Sequence, residues 1–84
     1  MTYLWPQGDP ITVVFDGLYT PQQFTWQGQT HRVKQMTKRW RVDQGWWQQR
    51  VWREYFKVST GTGLLVVIYR DLLTGHWYLQ RLYD

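Results

Sequence analysis

The sequence predicts an all-β domain, a small antiparallel β-barrel or a strongly curved sheet of about five or six strands. Three observations point there. Short runs of β-branched and aromatic residues alternate with glycine-bearing turn signals. No segment sustains a helical period long enough for a stable helix. The run Leu64–Arg70 is apolar on both faces, as a central strand covered from both sides is.

Taken in order, residues 1–10 carry Pro6, Gly8, Asp9 and Pro10 and are expected as an irregular lead-in. Ile11 to Phe15 form a first strand closed by Asp16-Gly17. After Pro21, Phe24 and Trp26 alternate on one side of a hairpin whose turn falls at Gln27-Gly28 and whose return strand runs through Val33. Val33, Met36 and Trp40 recur at helical spacing, but the segment is short, lacks an N-cap and has β-rich neighbours, so a strand with a bulge is preferred to a helical turn. Arg50 to Val58 is a strand with Trp52, Phe56 and Val58 on one face and Val51, Arg53, Tyr55 and Lys57 on the other. Gly61 and Gly63 bracket the next turn. The doubly apolar strand follows, then the loop Asp71–Gly75, whose glycine suits a positive φ, and a last strand from His76.

At 84 residues the chain is expected to be a single β domain over 1–84. Folding at this size buries only about 60–65% of the unfolded chain's surface, so large side chains must carry the core. Seven Trp, six Tyr and three Phe meet that demand. The expected core is Trp26, Trp40, Trp52, Phe56, Val66, Ile68, Trp77 and Leu79. With no cysteine, neither a disulfide frame nor a thiolate zinc site is available. No apolar run has the length of a membrane span and the N-terminus has no secretion-signal pattern, so a cytoplasmic protein is expected.

Catalysis is not expected. His31 and His76 stand 45 positions apart, Ser59 is the only serine, and the carboxylates are scattered singly. The histidines match no common metal-ligand spacing, no phosphate-binding glycine loop or dinucleotide fingerprint is present, and no cofactor is expected. Glu54 is expected to pair with a nearby arginine.

The charge distribution says more. Eight of the ten Lys and Arg lie between Arg32 and Lys57, against Asp43 and Glu54, a net of +6 there against −2 elsewhere. Within Arg39–Val58, four tryptophans interleave with four arginines. Trp46 and Trp47 follow Gly45 at a turn, where adjacent residues face opposite ways, so one is free to remain outside the core. Cations beside exposed aromatics form the footprint of a groove that neutralises phosphates and stacks bases. The candidate contact residues are Arg39, Arg41, Trp46, Trp47, Arg50 and Arg53. The same pattern also suits edge protection, with arginines stacked on neighbouring rings.

The succession "PQQFTWQGQTHRV", "RWRV", "GWW", "VWREYFKV" and "YRDLLTGHWYLQRLYD" resembles an uncharacterised family of small bacterial domains that occur as stand-alone proteins. It is similar, too, to the C-terminal tail of ImuB-type mutasome proteins, catalytically degenerate relatives of Y-family translesion DNA polymerases. The resemblance covers about Asp16 to Asp84. It rests most on Pro21-x-x-Phe24-x-Trp26-x-Gly28, Trp40-Arg41, Trp52-Arg53-Glu54-Tyr55 and Thr74-Gly75-x-Trp77-Tyr78-Leu79. Gln27 departs from it, since members often carry Arg there. The resemblance implies a setting in bacterial DNA damage tolerance and no reaction. Two mechanisms stay open: contact with single-stranded nucleic acid or DNA, or a protein interaction module that docks on a DNA polymerase, on a mutasome protein or on itself as an oligomer.

Overall fold

A computed structural model describes residues 2–46 and 49–83. Six antiparallel strands close into a barrel in chain order: β1 (Thr2–Phe15), β2 (Pro21–Trp26), β3 (Gln29–Trp46), β4 (Gln49–Thr60), β5 (Leu65–Asp71) and β6 (Trp77–Tyr83). The expected all-β barrel is therefore the architecture. Its turns follow their residues: Gln27 and Gly28 have φ of 53° and 75°, the paired positive values of a tight hairpin turn.

The irregular lead-in expected over residues 1–10 is instead strand from Thr2 onward. β1 pairs with β6 at Thr2 to Leu4 and again at Asp9 to Ile11, and the register shifts in between. Pro6 and Gly8, which argue locally against a strand, sit in that bulge, where a missing N–H breaks no ladder and a positive φ is wanted. Trp5 turns inward and packs edge-on against Trp26 at 5.6 Å, and Asp9 Oδ2 accepts the Trp26 indole N–H at 2.8 Å. Gly8 lies against Tyr69 and Tyr78, and a Cβ there would stand 2.5 Å from that of Tyr78.

β3 serves two partners. Its first residues, to Arg32, pair with β2, and from Val33 onward it pairs with β4, with shifts at Val33/Gln35 and Met36/Lys38. The first shift lets Val33 and Met36, three residues apart, pair with Thr60 and Val58 on one face, whereas Trp40 falls on the other face opposite Tyr55. Because β5 pairs with β4 only from Arg53, the stretch Asp43–Trp46 against Gln49–Trp52 projects as a two-stranded ribbon.

Two apolar layers result. Inside the barrel lie Phe24, Trp26, Phe56, Val58, Val66, Ile68, Trp77 and Leu79. On the outer face of β3 to β6, Tyr55, Val67 and Tyr69 are buried among Trp40, Val42, Tyr78 and Tyr83. This second layer is why β5 is buried from Val66 to Tyr69 without alternation. Six of the expected core residues are buried, whereas Trp40 and Trp52 are only half-buried. Trp40 belongs to the outer layer, and Trp52 stands on the ribbon beyond the last β4–β5 pair, against the Arg50 guanidinium at 4.5 Å.

Candidate functional site

Strand parity divides the nominated residues. Residues directly opposite in a pair share a face, so Arg39, opposite Phe56, and Arg41, opposite Glu54, stand on the barrel's inner side. Arg50 shares that side with Trp52 and Glu54. Arg53 points outward. Trp46 is the last residue of β3, and Trp47 lies outside the described residues.

The inner-side arginines are engaged by the protein itself. Arg39 grips Glu54 in a two-pronged contact, Nε to Oε2 at 3.1 Å and Nη2 to Oε1 at 3.0 Å. It also donates to the Leu18 carbonyl and the Thr20 hydroxyl, and lies over the Phe56 ring at 5.0 Å. Arg41 adds a contact to Glu54 Oε2 at 3.3 Å. Glu54's side chain is only 9% exposed. Burial pushes its carboxyl upward, but the hydrogen bonds and charges of Arg39 and then Arg41 outweigh it and hold the group below its ordinary value. The expected Glu54–arginine pairing is thus what the structure contains. Arg50 pairs with Asp43 at 3.1 Å.

The outer face differs in kind. Across four strands, Trp40, Tyr55, Tyr69 and Tyr78 are successive register partners and form one row of rings. Their centroids are 5.2, 5.2 and 5.1 Å apart, and the Trp40–Tyr55 planes differ by only 7°. Among the described residues, β3 has no second partner strand at Trp40 on the side away from β4, so its indole ends the row at the edge of the sheet.

One rung further along the strands runs a second row, Lys38, Lys57, Val67 and Arg81, again direct register partners. Lys38 lies 5.0 Å from the Trp40 ring centre and Lys57 4.8 Å from that of Tyr83. Arg81 is 5.8 Å from the Tyr83 centre and donates to its hydroxyl at 3.3 Å. On the opposite flank, Arg53 covers Tyr69 at 4.5 Å and donates to the Tyr55 hydroxyl. Burial works to lower the Arg53 pKa, yet the tyrosine hydroxyls and Asp71 raise it, so its charge is permanent.

Among the described residues, none of Lys38, Arg53, Lys57 and Arg81 forms a salt bridge. Lys38 and Lys57 face each other directly, a pairing of like charges that costs stability. A hollow of about 520 Å³ lies beside the rings, lined by Gln7, Gly8, Arg53, Tyr69, Asp71 and Tyr78. Of these surface residues, the sequence nominated only Arg53. Arg53, Tyr55 and Lys57 share one face of β4 by simple alternation, but their neighbours emerge only from the strand register.

His31 is buried, with Nδ1 2.7 Å from the Thr62 hydroxyl and the ring on Phe24 at 5.3 Å. Among the described residues no group of three or more His, Asp or Glu comes together.

The chain is 32% identical over 79 residues to Protein ImuB of Caulobacter vibrioides, in strain NA1000 / CB15N and in strain ATCC 19089 / CIP 103742 / CB 15. The match covers 77% of this chain and spans 17% of the length of each relative. No solved structure matches the chain. A family model matches residues 7–84, nearly the whole barrel, and the chain therefore belongs to the family described as Domain of unknown function (DUF6504).

Proposed function

We propose that this protein is a non-catalytic accessory module in bacterial DNA damage tolerance that contacts nucleic acid through the outer face of β3 to β6. The observation that carries this reading is the pair of rows on that face. Cations that have no salt-bridge partner among the described residues stand beside a continuous line of aromatic rings, the combination that neutralises a phosphate backbone next to base-contacting groups. The setting is supported by the similarity to Protein ImuB.

The test is a titration of labelled oligonucleotide at two salt concentrations. If Lys38, Arg53, Lys57 and Arg81 each neutralise one phosphate of a single strand, the slope of log affinity against log salt is about −2.8. Affinity then falls roughly 50-fold between about 50 and 200 mM salt. No binding at low salt refutes the proposal.

One observation favours a second reading. Val14, Phe15, Leu18, Tyr19 and Leu73, at the β1–β2 loop and the β5–β6 turn, expose large apolar surface, with Leu18 at 74%. Such residues suit a protein partner, for example a polymerase. Under that reading, polar substitutions at Leu18 and Leu73 abolish partner capture and leave oligonucleotide binding intact.

A further inference from the structure

The two outer rows have a direction, and it constrains the ligand. Both run across the strands. The aromatic row spans three inter-strand spacings, about 14 Å, and the cation row lies parallel to it two residues away, about 6.8 Å along the strands. A polymer that carries charge along one side and flat rings along the other matches two parallel rows. We infer that the ligand of this face is a single nucleic-acid strand laid across β3 to β6, with phosphates over Lys38, Lys57 and Arg81 and a base against Trp40. This rests on the nucleic-acid reading above and adds strandedness and path to it.

Trp40 is the stacking position for geometric reasons. Tyr55 and Tyr69 are 8% and 2% exposed, each held between neighbouring rings, and Arg53 covers Tyr69 further. Trp40 has a ring neighbour on its β4 side and, among the described residues, no strand on the other; its remaining ring cover is the exposed Lys38 side chain, whose ammonium lies 5.0 Å from the ring centre and is free to turn to a phosphate. Only an unpaired base offers its π-face to such a ring; in a duplex the faces are stacked on each other. The Lys38–Lys57 opposition has the same explanation: the two ammonium groups lie over different rings, Trp40 and Tyr83, and a phosphate held between these register partners draws both toward it and turns a repulsion into a shared attraction.

The test uses the full chain and fluorescence anisotropy with three probes of equal length: a single strand, the same strand with abasic sites, and a hairpin duplex. The single strand binds tightest. Lys38→Gln, Lys57→Gln and Arg81→Gln each flatten its salt slope by about 0.7. Arg32→Gln and Lys34→Gln, cations placed along β3 instead of across the sheet, leave the slope unchanged. Trp40→Leu weakens the base-bearing strand roughly 5- to 150-fold and leaves the abasic strand unaffected. Urea midpoints separate loss of binding from loss of fold, and the Lys38 and Lys57 variants test the path if Trp40→Leu unfolds. Duplex bound as tightly as single strand, or slopes that respond to Arg32 and Lys34, overturns the inference while the nucleic-acid reading stands. Failure of all three probes to bind at low salt overturns both.

Discussion

Arg39→Gln distinguishes a structural arginine from a phosphate contact at the position where sequence and structure diverge most. Arg39 makes two charged hydrogen bonds to a carboxylate that is nearly buried, and two more that fasten the β1–β2 loop through Leu18 and Thr20. Breaking a buried ion pair outright costs about 3–5 kcal/mol, because the remaining charge is stranded. Here Arg41 stays within 3.3 Å of Glu54 and is itself 56% exposed, so the carboxylate keeps a solvated partner. The expected loss is therefore smaller, about 2–3 kcal/mol. With a urea m-value of about 1 kcal/mol/M for a domain this small, the denaturation midpoint falls by about 2–3 M. Arg39→Lys recovers little, since an ammonium cannot reproduce the two-pronged contact. The salt slope of oligonucleotide binding stays where it was. A variant with an unchanged midpoint and a slope flattened by about 0.7 would refute this account and return Arg39 to the binding surface.

Gly8→Ala is expected to cost about 3 kcal/mol or more in chemical denaturation, since a Cβ meets Tyr78 and the Tyr69 hydroxyl at 2.5 and 2.9 Å on top of a backbone at φ +81°. Gly28→Ala, equally positive in φ but in open space, should cost only about 1 kcal/mol. Glu54's lowered pKa stabilises the fold at all pH values above the ordinary carboxylate range. That contribution is lost as pH falls below about 4 and through the folded-state value, so denaturation midpoints decline there, and Glu54→Gln flattens this part of the profile.

Local chemistry was enough for most of the barrel. Turn residues announced themselves at Gln27-Gly28 and Gly75, and the double-sided run in β5 signalled two covered faces before either cover was known. The first strand was not legible, because Pro6, Gly8 and Pro10 each speak against one. What overrides them is the pairing of β1 with β6 on both sides of the bulge, at Thr2 to Leu4 and Asp9 to Ile11, with a partner more than sixty residues away. Trp40 and Trp52 were misplaced for a related reason: alternation assigns side chains to two faces, but not which face the barrel encloses or where a neighbouring strand stops.

The candidate surface shows the same limit for charge. Eight cations between Arg32 and Lys57 read as one basic patch along the chain, yet consecutive residues of a strand point to opposite sides, so such a cluster is divided between two surfaces by construction. Arg39, Arg41 and Arg50 fall on the side where Glu54 and Asp43 also stand and are neutralised there. Lys38, Arg53 and Lys57 fall on the other side, and β6 brings Arg81 to them from outside the cluster. A basic footprint on a β domain is therefore a property of every second residue and its register partners, and a phosphate chain laid across the sheet encounters charges that the sequence never places side by side.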